Sequence, residues 1–315
     1  MNTKHIYLGL LGAALVFMAA SCSSNQTEGE KILKQSDFPA PPVAEVHPDT
    51  FMNFGKQRID NYYWMKDKTN PKVIEYIKAE NAYTDTVMAS TRDLQQKIYD
   101  EILGRIKEDD ESYPTYDDGY YYYSRTEKGK QYRTYCRRKG SMDAPEEVIF
   151  DVNKLAAGKQ AFIFRGYIIS PDNSKAAYFY NETGSYAEFT MKVRDLASGQ
   201  DVGFTVEGAA SVAWANDNRT LFYSAIDHTL RSSKIFRREL DAAEGTLVYE
   251  EKDAKFSTYV SATKTKQFIF ITCGSSTTSD ERYISADRPT DPFKVFLPRT
   301  KDVEYSVYAH ADRFF

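Results

Sequence analysis

Cysteine and histidine are scarce in this sequence of 315 residues, and positive charge is in slight deficit. The three cysteines, Cys22, Cys136 and Cys273, cannot build a disulfide framework, and no C-x-x-C pair offers the spacing of a zinc site. Redox chemistry, a metal and a cofactor are therefore not expected. Lys+Arg number 41 against Asp+Glu 45, a formal net charge of -4, so no overall positive field exists to hold a polyanion. Nucleic acid is excluded as a partner on that ground. With 42% hydrophobic and 27% charged residues and only 16 glycines, disorder and collagen-like structure are also excluded. What is abundant is aromatic: 24 Tyr and 19 Phe, which favour half-buried pleated strands. A mainly β protein is expected.

The N-terminus reads as an address. Lys4 supplies a positive start, and residues 6–18 (IYLGLLGAALVFM) are uncharged, apolar and short for a membrane span. The run closes on Ala19-Ala20-Ser21-Cys22, which looks like a bacterial lipobox, so residues 1–21 are expected to be a lipoprotein signal peptide with lipid attached at Cys22. A free cysteine beside an ordinary cleavage site is the alternative. Residues 23–29 (SSNQTEG) begin a small, polar tether assigned to 22–45. The expected location is the bacterial cell envelope, with the chain held at the periplasmic or outer membrane through its lipid.

Pro39, Pro41, Pro42 and Pro48 stiffen an extended arm. Asn70-Pro71 then supplies an N-cap followed by proline at the first helical position, and Val73, Ile77, Tyr83 and Val87 recur at helical spacing. A helix is predicted over 71 to about 90. Leu94, Ile98, Ile102 and Ile106 step by four and place one apolar stripe on a second helix. The two are expected to form a hairpin, within a helical segment spanning 46–110, whose apolar faces need a partner.

From Tyr113 the pattern changes to short aromatic or β-branched runs separated by turn residues. Residues 120–123 (YYYY) run into Glu127-Lys128-Gly129-Lys130 and return through Tyr132 and Tyr135, a hairpin with a glycine turn. Three later segments align. They are Ser170-Pro171-Asp172-Asn173 before Ala177-Tyr178-Phe179, Trp214-Ala215-Asn216-Asp217 before Leu221-Phe222-Tyr223, and Ser261-Ala262-Thr263-Lys264 before Phe268-Ile269-Phe270. Their starts lie 44 and 47 residues apart, the period of four-stranded propeller blades. Residues 111–315 are thus expected to be a partial β-propeller of about four blades. Tyr305-Ser306-Val307-Tyr308 and Arg313-Phe314-Phe315 read as the start of another, so a truncated chain is expected.

Several of these stretches carry a family likeness. Arg58-Ile59-Asp60-Asn61-Tyr62-Tyr63-Trp64-Met65-Lys66-Asp67 and Ala79-Glu80-Asn81-Ala82-Tyr83 resemble the opening of the prolyl oligopeptidase family of serine peptidases, most of all its oligopeptidase B (protease II) branch. Gly104-Arg105-Ile106-Lys107-Glu108-Asp109-Asp110, the stretch from Tyr122 to Gly129, Val212-Ala213-Trp214-Ala215-Asn216-Asp217 and Phe296-Leu297-Pro298-Arg299 continue the likeness in order. The resemblance implies an α/β-hydrolase domain capped by a propeller of about seven blades that admits only short peptides. It also implies cleavage after Lys or Arg, with the Ser-Asp-His triad and the cation pocket in a C-terminal hydrolase domain. No sequence of that domain is found here, and the helical segment would pack against it.

The chemistry-bearing residues of the chain fit that division. The nearest match to a G-x-S-x-G nucleophile turn is Gly274-Ser275-Ser276-Thr277-Thr278, which lacks the second glycine and a following helix. His47, His228 and His310 have no Ser, Cys or carboxylate partners at a recognisable spacing and read as solvated, His310 at a blade-linking position. Cys136 and Cys273 read as small hydrophobes in strands. Residues 107–111 (KEDDE) read as a solvated linker, Arg137-Arg138-Lys139 as a strand terminus in water, and the rings of 120–123 as alternately buried. No catalytic residue is therefore assigned. Two functions compete: the N-terminal portion of an oligopeptidase B-like peptidase, inactive alone and awaiting its hydrolase domain, or a propeller lipoprotein that binds a partner without catalysis. A coding segment for G-x-S-x-G downstream favours the first.

Overall fold

The computed structural model describes residues 38–310 and 313–315, so the leader at 1–21, Cys22 and the polar stretch at 23–29 lie outside the described residues. The chain divides into two compact units, one ending at Ile106 and the other spanning Lys107–Phe315.

In the first unit the proline arm is extended, and its Glu45 accepts from Lys72 Nζ (2.7 Å) and pairs with His47 Nε2 (2.8 Å). A hairpin follows that the sequence pattern did not announce, β1 (Asp49–Asn53) with β2 (Lys56–Asp60), turned through Phe54 and Gly55 at positive φ. Helix α1 covers Pro71–Met88. Its Asn70 side chain caps Lys72 N at 3.0 Å, and Pro71 occupies the first turn where no donor is needed. One 3-10 turn, Ala89–Thr91, leads into α2 (Arg92–Arg105). The junction is tighter than a hairpin loop, because Ala89 and Arg92 both keep right-handed helical dihedrals. Leu94, Ile98 and Ile102 are exposed along α2, as is Ile106, its extended C-cap residue.

The second unit is built from antiparallel sheets, each completed before the next begins. The first holds β3 (Asp110–Glu111), β4 (Thr115–Asp117), β5 (Tyr120–Thr126), β6 (Thr134–Lys139) and β7 (Glu147–Asp151). Strands β3 and β4 both pair with β5, β3 near its end and β4 near its start, so together they act as one broken strand. A short helix, α3 (Val152–Ala156), leads on. The second sheet holds β8 (Ile163–Ile169), β9 (Lys175–Asn181), β10 (Thr190–Asp195) and β11 (Asp201–Val206). The third holds β12 (Ala209–Trp214), β13 (Thr220–Ile226), β14 (Ser232–Glu239) and β15 (Thr246–Glu250). The fourth holds β16 (Ser257–Ala262), β17 (Phe268–Gly274), β18 (Ser279–Ser285) and β19 (Lys294–Val295). A two-stranded hairpin, β20 (Ala309–His310) with β21 (Arg313–Phe314), follows.

Burial explains why the second strand of a sheet reads as a continuous apolar run. Successive side chains of a strand point to opposite faces. Leu221 and Tyr223 of β13 therefore enter a core shared with Phe179, Met191 and Phe204 of the preceding sheet, while Phe222 enters one shared with Ile269 and Ile271 of the next. Ala176 and Tyr178 of β9 likewise face back toward Phe150, and Ala177 and Phe179 face forward. A sheet buried on both faces cannot show polar–apolar alternation.

Candidate functional site: the axis of the blades

The three aligned segments are the turns between the first and second strands of sheets two, three and four. Ser170, Ala215 and Thr263 occupy the same place, each donating its N–H to the carbonyl of the residue five further on at 2.9 Å. The structural register is thus one and two residues beyond the sequence alignment in the last two segments. Each turn needs a residue in the left-handed region: Asn173 (φ 62), Asn218 (φ 57) and Lys266 (φ 58). The first sheet has its own version between β4 and β5 at Asp118 (φ 47), which the sequence reading missed because β4 is short.

These four turns converge. Asp118 Oδ2 accepts from Asn173 Nδ2 (2.6 Å) and Lys266 Nζ (2.7 Å), and Lys266 Nζ also donates to Pro171 O (3.2 Å). Asn218 Oδ1 accepts from Asp172 N (2.8 Å), and Asn216 Nδ2 donates to Lys266 O (2.8 Å). The bond to Lys266, followed by that to Asn173, holds the Asp118 carboxyl below the usual carboxylate range. One end of the shared axis is therefore tied by side chains from all four sheets.

Behind this tie lies a hollow. A cavity of about 150 Å³ beside the turns is lined by Asp117, Trp214, Asn216, Lys264 and Lys266. It shares Ile168 and Ala262 with a larger one of about 450 Å³ between β8, β12 and β16, whose lining includes Arg165, Ser211 and Ser261 but no carboxylate. Trp214 fixes the wall: it is buried, and its Nε1 donates to Ile168 O at 3.1 Å, joining the third sheet to the second.

No acyl-transfer constellation is assembled among the described residues. Ser276 is exposed in a turn between β17 and β18, closed by Ser275 N donating to Thr278 O (2.9 Å), and a strand follows it. His47, His228 and His310 are exposed, and among the described residues no serine hydroxyl bonds any of them; the carboxylate partner of His47 is Glu45, its neighbour on the arm. Cys136 and Cys273 are fully buried in different sheets, and burial pushes their thiols up to about 11 and about 12.

Two surface readings change. Arg137 is not a strand terminus in water: its side chain is 7% exposed, Nε donates to Glu147 Oε2 (2.8 Å), Nη1 to Asn173 O (2.9 Å), and the guanidinium lies 4.2 Å from the Tyr120 ring centroid. Its partners sit on another strand and another sheet, which local sequence does not reveal. Of the KEDDE run, Asp109 Oδ1 accepts from Lys128 N (2.7 Å), so the acids fasten the β5–β6 hairpin loop instead of merely linking. Of the four tyrosines only Tyr123 is buried; the other three are half-buried. The Phe296-Leu297-Pro298-Arg299 motif also finds its purpose here. Arg299 lies 3.7 Å from the Phe256 ring centroid, pairs with Glu251, and donates from Nε to the buried Asp280 (2.9 Å).

Four-stranded antiparallel sheets in sequence, packed face to face around a common axis, define a β-propeller. The chain belongs to the prolyl oligopeptidase family: residues 41–315 match its N-terminal β-propeller domain. It is 35% identical to Dipeptidyl aminopeptidase BI of Pseudoxanthomonas mexicana, over 97% of this chain and 44% of that protein. To Protease 2 of Moraxella lacunata it is 30% identical, over 84% of this chain and 40% of that one. Oligopeptidase B from Leishmania major is similar in structure with a TM-score of 0.80 at 28% identity, covering 86% of this chain and 41% of that chain. The sequence thus spans less than half the length of these relatives and corresponds to the propeller-bearing N-terminal portion of peptidases related to oligopeptidase B.

Proposed function

We propose that this chain is the propeller portion of an oligopeptidase B-like serine endopeptidase that cleaves short peptides after Lys or Arg, and that residues 1–315 have no peptidase activity alone. The observation that carries the reading is the match to the family's N-terminal propeller over residues 41–315. In support, the described residues offer no serine with an activating base, and every strand pairing among them is antiparallel, whereas an α/β-hydrolase needs a mostly parallel sheet. Catalysis then depends on a hydrolase domain, the partner of this chain, with the propeller hollow receiving short peptides. Lipid at Cys22 would hold the assembly in the bacterial envelope.

A second reading comes from the relative whose name is Dipeptidyl aminopeptidase BI, at 35% identity: an enzyme that acts from the peptide's free N-terminus. The test is turnover of fluorogenic Arg peptides, together with labelling by a serine-directed phosphonate, with and without an oligopeptidase B-type hydrolase domain. The endopeptidase reading expects no turnover alone, and turnover of an N-terminally blocked Arg peptide with the domain supplied. Turnover only of unblocked peptides selects the aminopeptidase. Stoichiometric labelling and cleavage by the isolated chain defeats both, and Ser276 would then be the first residue to replace. Failure of the hydrolase domain to bind or activate the chain favours a non-catalytic lipoprotein.

A further inference from the structure

Arg165 stands apart from the other arginines near the axis. Strand β8 pairs with β9 in register up to Phe164 and again from Gly166, so Arg165 is the extra residue of a β-bulge, and Gly166 takes φ 141 to accommodate it. A bulge bends its strand and re-aims a side chain, and bulges recur beside functional sites. Arg165 is one of the residues lining the cavity of about 450 Å³ between β8, β12 and β16. Its guanidinium lies 5.2 Å from the Phe189 ring centroid and 5.9 Å from that of Phe179. These rings orient the cation without neutralising it.

The next sheet shows that the bulge itself does not need arginine. Strand β12 shifts register against β13 between Ala209 and Ser211, which leaves Ala210 at the equivalent place and on the wall of the same cavity. An alanine suffices there. Arg137, Arg194, Arg238, Arg282 and Arg299 each combine a ring contact with a carboxylate or carbonyl acceptor. Arg165 has the rings alone: no acceptor bonds it among the described residues, and the cavity lining holds no carboxylate. A guanidinium offers five donors in a fork that fits a carboxylate, it keeps its charge at any working pH, and at Arg165, which is exposed, those donors are held by water that a ligand can displace.

We infer that Arg165 is the receptor for a carboxylate carried by a short peptide in the axial cavity, the peptide's own C-terminus being the carboxylate that every short peptide brings. The inference rests on the reading that peptides occupy this hollow. It gives the propeller a part in choosing substrates, since a free C-terminus or an acidic residue would be held at a fixed level on the axis.

The test is fluorescence polarisation of three dansylated tetrapeptides on the purified chain at low salt: a free acid, its C-terminal amide, and the amide with one internal glutamate. The free acid is expected to bind about tenfold more tightly than the plain amide, from a charge-assisted pair. Arg165→Gln should abolish the difference and Arg165→Lys should restore part of it, with circular dichroism unchanged. Tighter binding of the glutamate peptide alone keeps the carboxylate receptor and moves the source to a side chain. Equal binding of acid and amide, a preference that survives in Arg165→Gln, or no binding of any peptide overturns the inference. None of these outcomes involves the hydrolase domain, so the peptidase reading stands or falls on its own turnover assay.

Discussion

Replacing Trp214 by alanine separates two blades at the wall of the axial hollow, and its cost follows from the contacts. The side chain is 3% exposed in a core with Phe179, Val212 and Leu221. A buried aromatic removes roughly 150–250 Å² from water, which at about 25 cal/mol per Å² is roughly 4–6 kcal/mol; an extended-chain reference makes that an upper figure. Direct experience with large-to-small aromatic substitutions gives about 3–5 kcal/mol. Loss of the Nε1 bond strands Ile168 O, a further cost of about 1 kcal/mol. Trp214→Phe retains most of the ring contacts and loses the donor, so it should cost about 1–2 kcal/mol. With a urea slope of about 2–3 kcal/mol per molar, the alanine variant's midpoint should fall by roughly 1.5–3 M and the phenylalanine variant's by less than half of that. The assay is urea unfolding followed by far-UV circular dichroism. An alanine variant as stable as the parent, or a phenylalanine variant as weak as alanine, would refute the packing of Trp214 between blades as the source of this stability.

Three further outcomes are expected. Cys22→Ser should lose palmitate labelling and membrane association, since stable anchoring takes at least two hydrophobic chains; unchanged labelling would remove the lipoprotein assignment. In that variant the two remaining thiols, Cys136 and Cys273, should resist Ellman's reagent at pH 8 and react once unfolded, because burial raises both; a thiol that titrates in the native protein would contradict the packing around it. Glu281 is 5% exposed, accepts from Thr272 Oγ1 at 2.9 Å, and is pushed up to about 7 by burial and then by Asp280 against the effect of that bond. A carboxyl raised in the folded state keeps its proton when the unfolded chain has lost its own. The destabilisation is therefore absent below about pH 4, grows between there and about pH 7, and is complete above it. Glu281→Gln should match the parent at pH 4 and exceed it by about 3 kcal/mol at pH 8; equal stability at both pH values would show that Glu281 is not desolvated.

The blade repeat was legible because each unit spells the same turn and the same doubly buried second strand. Asn70-Pro71 likewise announced α1 from local chemistry alone. What escaped was whatever depends on a partner far along the chain. Arg137 reads as a charged strand end until Glu147 and the carbonyl of Asn173 are brought to it. Lys266 reads as an ordinary turn lysine, although Asp118, 148 positions away, is its ion-pair partner. The bulge at Arg165 leaves only a weak trace, a glycine after a charged residue within an aromatic strand, and nothing in the spacing tells which side chain it re-aims. The exposed stripe of α2 was legible as apolar, since it depends on periodicity alone.

Three of the four axial turns place Asp or Asn in the left-handed conformation, residues whose short polar side chains tolerate it; the fourth uses lysine. That lysine is strained by about 1–2 kcal/mol at its own backbone. Its ion pair with Asp118, with both side chains more than one-third exposed, returns less than about 1 kcal/mol. Lys266→Gly should therefore leave the fourth blade as stable as before or slightly more so, while the first and fourth blades lose their direct tie. Robustness of a blade and tightness of the axis are thus set against each other at one position, and a sequence drifting toward greater thermal stability would be expected to loosen the tied end first.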